Sequence, residues 1–415
     1  MLAYGRTRRA CAAACLAAGA FAANPSSAAE WSMESSAALR TEYDSNIELT
    51  SAPHSSVWGV LLAPEMRFSG ETETLKVTGG LRLSINHYFG ESRLNSTDHQ
   101  VTVRSNYKAE RDIFGLDVDS VRDSTLVSEL LETGVVQARR QRDRLAVNPS
   151  WRRSLTETMA LTASYGYSDV RYDDTRNTSL TDYHDQTASV GLLWNPTERG
   201  LVTLSGYYDW YETDPKAFEA KTYGLQARYD HAFSETLHGA LAIGARNTQS
   251  RQTSEAFVCN GPILFGLCFG TLSQVTLVAS DRSTGYTFLG SIERKFETAL
   301  VTGQVSREIY PTGVGALVQT DRLGVMWQQE LSPTLSFFVD GSIYDSRYVG
   351  NFVTGSNSRY YRIEPRLTWK MADNWTLLGG YSYARVQYED TSASASANTV
   401  YVVVSYTWPK LAISR

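Results

Sequence analysis

The chain has 415 residues, with 39 Lys and Arg against 44 Asp and Glu and a formal net charge of −5 at pH 7. This acidic balance argues against a nucleic-acid partner, because binding to a phosphate backbone relies on an excess of basic side chains. After the N-terminal leader no apolar run approaches the ~20 residues that a membrane-spanning helix needs. The composition therefore excludes a helical membrane protein and a nucleic-acid-binding protein.

The first 29 residues have the pattern of a secretory signal peptide. Arg6, Arg8 and Arg9 precede an Ala-rich apolar run, and the small residues 24–29 suit signal peptidase. We predict cleavage after Ala29 and a single mature domain at residues 30–415. Loss of the three arginines leaves 36 basic against 44 acidic side chains, a net charge of −8.

Strict alternation of side-chain character dominates the mature chain. Within residues 360–370, Tyr361, Ile363 and Leu367 alternate with charged residues such as Arg362 and Glu364. A period of two predicts a strand with one apolar and one polar face. These runs last about ten to fifteen residues, longer than the roughly five or six of a soluble strand and typical of a strand that crosses a membrane.

We assign eighteen strands along the chain, with sixteen as an open alternative. Short turn-like pieces recur mostly 36 to 44 residues apart, for example near residues 69–72, 195–198 and 371–374. Short turns on one side and longer loops on the other are typical of outer-membrane barrels. The prediction is an all-β, closed antiparallel transmembrane barrel, with strands at 32–43, 56–69, 73–89, 98–110, 112–124, 142–153, 157–172, 184–195, 200–212, 220–233, 236–250, 281–296, 298–310, 317–331, 334–348, 358–371, 374–390 and 397–408.

Two loops differ from the rest. In residues 124–141 leucines at helical spacing predict a short helix. Arginines follow at Arg139, Arg140, Arg142 and Arg144 and suggest contacts with lipopolysaccharide phosphates, with an ordinary charged loop as the alternative. Residues 251–280 contain Cys259 and Cys268, and a close pair in an oxidising compartment predicts a local disulfide. This loop is interpreted as a structural clip, a constriction folded into the pore or a docking knob.

The alternation predicts which side chains face the lumen. They are charged residues of both signs together with tyrosines, and Tyr88 and Tyr211 belong to the same inward class. One interpretation is a solvated wall whose charges pair with each other. The other is a polar path for a hydrated glycan, on whose sugar rings the tyrosines would stack. The candidate lumen-lining residues are Arg82, Arg104, Tyr207, Asp209, Arg228, Asp230, Tyr344, Tyr360, Arg362, Glu364 and Arg366.

No enzyme motif is present in the sequence. It lacks the serine-hydrolase elbow, the zinc-protease helix motif and the phosphate-binding loop, and its six histidines are scattered. We therefore predict that the protein is not an enzyme and has no cofactor, no metal site and no catalytic residue.

Three stretches resemble a known family. Residues 43–47 read Tyr-Asp-Ser-Asn-Ile, residues 123–134 lead into an Arg-rich strand start, and the last long strand closes on Ser-Tyr-Thr-Trp at 405–408. Together they resemble β-barrel porin family 2, including members found with exopolysaccharide and PEP-CTERM loci. The resemblance implies an outer-membrane barrel with no catalytic residues to carry over. The tail that follows Trp408 departs from outer-membrane barrels generally.

The predicted function is a pore in the outer membrane of a Gram-negative-type bacterium, for export or passage of an exopolysaccharide. A general diffusion porin for small solutes and a structural or scaffolding barrel in a polysaccharide export system are the alternatives. The expected partners are outer-membrane lipid, lipopolysaccharide and the barrel-assembly machinery, with polysaccharide and periplasmic export proteins added by the export hypothesis.

Overall fold

A computed structural model describes residues 30–51, 53–136, 138–175, 178–261, 263–264, 267–268, 270–350, 357–391 and 393–414. The predicted signal peptide at residues 1–29 lies outside the described residues. In the described part of the chain no helix is long and apolar enough to cross a membrane.

Eighteen long strands form one antiparallel sheet that closes on itself, because the last of them pairs with the first. This confirms the predicted barrel and its strand number. The long strands are Glu30–Asp44 (β1), Val57–Glu71 (β2), Leu75–Phe89 (β3), Ser96–Lys108 (β4), Asp112–Ser124 (β5), Gln141–Ser154 (β6), Met159–Tyr172 (β7), Asp182–Thr197 (β8), Gly200–Asp214 (β9), Phe218–Ser234 (β10), Leu237–Cys259 (β11), Leu272–Lys295 (β14), Ala299–Thr312 (β15), Ala316–Ser332 (β16), Leu335–Val349 (β17), Ser358–Ala372 (β18), Trp375–Tyr388 (β19) and Ser394–Thr407 (β20).

Five smaller elements complete the described chain. Two of them, β12 and β13, pair with each other at the tip of the longest hairpin. The last, β21, pairs with residues 30–33 of β1, so the tail beyond Trp408 extends the barrel wall at its base. The smaller elements are a 3-10 turn at Ser92–Leu94, a helix at Ser128–Thr133 (α1), Ile263–Leu264 (β12), Leu267–Cys268 (β13) and Leu411–Ser414 (β21).

The outer surface of the barrel is apolar. Large hydrophobic side chains such as Leu225, Ile243 and Val190 are exposed on the face opposite the charged residues of the same strands. A closed barrel leaves no sheet edge in lipid and an apolar belt meets the hydrocarbon, which is the arrangement that a bilayer requires. The protein is therefore an outer-membrane β-barrel.

The longest predicted loop is mostly strand. β11 and β14 stay paired from Leu237↔Arg294 as far as Cys259↔Leu272, well past the ends that the sequence predicted for them. The structure joins the two cysteines in a disulfide at the tip, with their Cα atoms 5.7 Å apart. Phe257 and Leu272 are 70% and 63% exposed, so the hairpin does not fold into the lumen. The predicted constriction at this loop is wrong, because the paired strands extend the ladder away from the barrel.

Removal of this disulfide should leave the barrel unchanged. We expect Cys259→Ser/Cys268→Ser to keep the heat-modifiable gel mobility of a folded barrel, since the ladder between β11 and β14 continues without the tip. Faster amide exchange confined to residues 251–280 is the expected difference. Loss of barrel folding in the double variant would contradict this prediction.

The outer ends of β15, β16 and β17 bend into the barrel. Leu317 and Leu323 share one face of β16, yet Leu323 is 49% exposed like its lipid-facing neighbours, whereas Leu317 is 2% exposed. Leu317 packs in a cluster with Tyr211 and Phe218, which face the interior from β9 and β10. The face of β16 that meets lipid near Leu323 therefore contacts the inner surface of β9 and β10 at its outer end.

Candidate functional site

The loop between β5 and β6 enters the barrel and carries α1 across the lumen. Its backbone is held by the far wall: the Tyr344 hydroxyl donates to the carbonyl of Leu131 at 2.9 Å, and the Thr320 hydroxyl donates to the carbonyl of Thr133 at 2.9 Å. Leu130 adds an apolar contact, because it packs in one buried cluster with Tyr344 and Tyr360. The predicted helix is thus present, and it lies inside the barrel.

Gly134 ends α1 and permits its approach to β17. Its φ of +69° lies in the left-handed region, which favours glycine at a helix C-terminus, and its N–H donates to the Leu130 carbonyl at 2.8 Å. A Cβ at this position would lie 2.4 Å from the Cβ of Tyr344. Only glycine satisfies both the backbone conformation and the close contact.

A buried charge cluster fixes the first turn of α1. Arg142 is 1% exposed and contacts carboxylates of Glu129 at 3.9 Å and Glu132 at 3.6 Å. Glu129 also accepts from the Tyr172 hydroxyl at 2.9 Å and from the Gly313 N–H at 3.0 Å. Burial raises the pKa of Glu129, and the positive charge of Arg142 opposes that rise. The cluster joins α1, β6, β7 and the β15–β16 turn.

This cluster changes the interpretation of the arginines near residue 141. Arg142 is enclosed, and Arg144 pairs with Glu132 at 3.1 Å on the inner face of β6. Neither side chain reaches the outer lipid surface, so the predicted contacts of Arg142 and Arg144 with lipopolysaccharide are wrong. The alternation that puts Arg144 inward puts Arg142 inward as well, and lipopolysaccharide as a partner of other residues stays a prediction.

The outer layer of the interior is filled by side chains. The Tyr211 hydroxyl donates to the Thr312 carbonyl at 2.9 Å, and the Gly313 carbonyl accepts from the Thr181 N–H at 2.7 Å, so the β15–β16 turn contacts β9 and the loop after β7. Inward residues at this level are buried on strands all around the barrel. They include Tyr88, Val170, Tyr211, Thr248, Thr320, Tyr344, Tyr360, Val386 and Ala395.

Beneath this layer a ring of polar side chains surrounds the space beside α1; we call it the charged ring. Asp185 lies within electrostatic range of Arg144 and Asp209. Tyr207 lies in range of Asp209, Arg246 and Glu308. Tyr310 lies in range of Glu308, Arg322 and Glu132, and Glu132 pairs with Arg144, which closes the ring. Its members are Glu132, Arg144, Asp185, Tyr207, Asp209, Arg246, Glu308, Tyr310 and Arg322.

Most of the charged ring is accessible to water. Arg144 and Glu132 are 38% and 41% exposed in their side chains, and Arg246 is the buried member. Asp185 and Asp209 share a hydrogen bond, and the Thr187 hydroxyl donates to Asp209 at 2.7 Å. Arg322 lies 5.1 Å from the centre of the Tyr344 ring. Partly exposed charged side chains such as Arg144 and Glu132 keep part of their hydration. The ring therefore borders a hydrated space.

The candidate lumen residues divide between the ring and other places. Strand registers put all of them on the inward face, and Tyr207 and Asp209 belong to the ring. Arg82 and Arg104 are exposed lower in the barrel. Arg228 pairs with Asp230 at 2.6 Å, and Arg362 and Arg366 contact Glu364, as in a self-paired wall.

Two of the candidates do not line open space. Tyr344 and Tyr360 are 1% and 3% exposed because they pack beneath the inserted loop. Tyr88 and Tyr211 are also buried, Tyr88 against Val57 and Leu94 and Tyr211 in the cluster that contains Leu317. The predicted stacking of these tyrosines on sugar rings is wrong for this structure, and Tyr207 alone of the five inward tyrosines singled out from the sequence stays half-buried at the ring.

Sequence reasoning missed Asp185 and Arg246 of the charged ring and Glu129 and Arg142 of the buried charge cluster. All but Glu129 lie on inward positions that alternation identifies, yet nothing local distinguishes them from other inward polar residues. Their grouping depends on α1 and the β15–β16 turn meeting inside the barrel. The described residues contain no group of three side chains arranged to hold a metal ion.

Comparisons with known proteins return distant structural likeness alone. No protein-family model matches the chain, and no curated protein matches it. Solved structures that match include OccAB2 of Acinetobacter baumannii (10% identity, 91% of this chain and 98% of that chain, TM-score 0.46). The matches also include OpdK of Pseudomonas aeruginosa, solved with vanillate (11% identity, 92% of this chain and 99% of that chain, TM-score 0.45). OccK2 (OpdF) of Pseudomonas aeruginosa matches as well (8% identity, 91% of this chain and 97% of that chain, TM-score 0.46). The resemblance of the chain to β-barrel porin family 2 stays a prediction.

Proposed function

We propose that this barrel is an outer-membrane pore for small polar solutes, closed at its outer end in the structure. The observation that carries the proposal is the hydrated charged ring directly beneath the filled layer. A solute that enters the barrel reaches the ring beside α1, where side chains of both signs and two phenols can replace part of its water. A wall built as a passive plug has no need of partly exposed charges of both signs around an interior space.

Small solutes suit this geometry better than a polymer. Passage of a glycan chain would require a continuous opening through the outer layer, whereas a small solute needs a limited displacement of α1 or the β15–β16 turn. Buried tyrosines remove most of the stacking surface that the export hypothesis relied on. Export of an exopolysaccharide stays a prediction without support from the described residues.

The filled outer layer favours a second candidate, a structural barrel with a closed lumen. Buried inward residues on strands all around the barrel are what such a scaffold would show. The two candidates differ in one property, since only the pore contains a closure that can be opened.

Single-channel conductance in a planar bilayer tests the proposal. We expect low or intermittent conductance from the refolded protein, and a severalfold larger steady conductance when residues 126–136 become a Gly/Ser linker of equal length. The larger conductance follows from removal of α1 from the lumen. Cys259→Ser/Cys268→Ser is the matched control, since it alters an outer hairpin and should conduct like the original protein.

The scaffold would be favoured if neither the original protein nor the linker variant conducted, provided that both are heat-modifiable on a gel and so correctly folded. Block of the larger conductance by added acidic polysaccharide, but not by small saccharides, would instead restore the export hypothesis.

A further inference from the structure

The barrel wall is interrupted between β14 and β15. These strands pair from Lys295↔Leu300 up to Phe288↔Arg307, and there the ladder stops. In the described chain, residues 282–287 of β14 continue to pair with β11, and residues 308–311 of β15 continue to pair with β16. Neither segment has a ladder partner across the gap between them.

The interruption exists because β15 turns inward at this level. Ile309 and Leu317, on the face that meets lipid lower down, pack against the cluster of Tyr211 and Phe218 inside the barrel. The Arg246 guanidinium lies on the inner face of β11 and donates to the Gln319 side-chain oxygen at 3.0 Å. Gln319 belongs to the face of β16 that points outward lower on the strand. The outer end of the β15–β16 hairpin therefore sits inside the wall that it would otherwise continue.

A second position for this hairpin end is already specified by the register. An antiparallel ladder advances one residue on each strand per step, so the pair after Phe288↔Arg307 would be residues 287 and 308, followed by Tyr286 and Ile309. The unpaired backbone groups of both segments would be satisfied there. Near the bilayer, where an open edge is costly, such pairing is favourable.

We propose that the outer end of the β15–β16 hairpin, residues 308–320, is a gate with two mutually exclusive docking positions. This inference rests on the proposed pore function and names its regulation. In the closed position the hairpin end fills the lumen and contacts Glu129, Tyr211 and Arg246. In the open position it pairs with β14, so that Glu308 and Tyr310 move with it to the inner face of the restored wall. The other members of the charged ring are then connected to the outside.

The two positions share one set of residues and exclude each other, which makes the hairpin end a two-state element. Its closed contacts are to α1 and the β7–β11 wall, so any solute that competes for Glu129 or the ring residues biases the equilibrium toward opening. The gate thus couples occupancy of the ring to the state of the outer layer.

A disulfide placed across the gap tests the gate. We expect Tyr286→Cys/Ile309→Cys to cross-link under mild oxidation, seen as loss of two thiols to maleimide–polyethylene glycol labelling, and then to give steadily open channels. Reduction should return the channels to the original conductance, with the wild-type protein under the same reductant as the control for the native disulfide.

Gly290→Cys/Val305→Cys is the matched control pair. This pair lies on the same face of the sheet and, like Tyr286 and Ile309, two residues from Phe288↔Arg307. It belongs to the part of the ladder that is already paired, so it should cross-link without a change in conductance. Failure of the Tyr286/Ile309 pair to cross-link, with both thiols labelled after unfolding, overturns the gate. A cross-link without a conductance change overturns it too. If the linker variant conducts in either case, the pore stands, whereas silence of every folded variant removes the pore itself.

Discussion

Arg142→Ala is expected to lower the free energy of unfolding by about 3–5 kcal/mol, the usual effect of removing one partner from a buried ion cluster. The substitution leaves Glu129 enclosed at 1% exposure without its cation. Urea unfolding of the refolded protein, followed by tryptophan fluorescence and gel mobility, measures the change. Because the cluster joins α1 to β6, we also expect more frequent channel openings.

The control for this prediction is Arg171→Ala. Arg171 pairs with Asp169 at 3.1 Å on the exterior, with its side chain 52% exposed, so its loss should cost less than about 1 kcal/mol. Similar effects of the two substitutions would mean that Arg142 contributes no more than a surface ion pair, and the role assigned to the cluster would be wrong.

Leu317→Ala is expected to destabilise the closed position of the β15–β16 hairpin by about 2–5 kcal/mol, the range for a leucine truncated in a packed core. About 1.4 kcal/mol changes an equilibrium tenfold, so the open fraction should rise by at least about an order of magnitude. Channel open probability in a planar bilayer measures this shift. The reason is local, since Leu317 packs with Tyr211 and Phe218 in the closed position.

Leu323→Ala provides the comparison on the same strand and face. Leu323 is 49% exposed toward lipid, so its truncation opens no cavity against the inner wall and should leave the open probability unchanged. Equal open probabilities for the two variants would contradict the assignment of Leu317 to the closure.

The buried charge cluster and the apolar cluster act on the same closure from two sides. Arg142 and Glu129 hold α1, whereas Leu317 and Tyr211 hold the hairpin end, and the Gly313 N–H connects them by its hydrogen bond to Glu129. Effects of Arg142→Ala and Leu317→Ala on open probability should therefore be non-additive, as expected for residues that share one network.

The sequence by itself determined the strand pattern and the face of each residue, and it predicted eighteen strands while leaving sixteen open. Side-chain polarity alternates with a period of two wherever one face of a strand meets lipid and the other meets water. The faces of Tyr361 and Arg362 can therefore be assigned from their own strand, without knowledge of the neighbouring strands. Short turns and long runs then predict a closed barrel, of eighteen strands in our assignment. The helix at 128–133 was also predictable, because the spacing of its leucines is a local property.

The tertiary structure alone decided where these elements meet inside the barrel. Leu317 and Leu323 have the same alternation, yet one contacts Tyr211 across the lumen and the other contacts lipid. Alternation assigns a side of the sheet but contains no information about the direction in which the sheet bends. The bend, the insertion of α1 and the charged ring all depend on contacts between residues more than a hundred positions apart, and such contacts leave no periodic pattern in the chain.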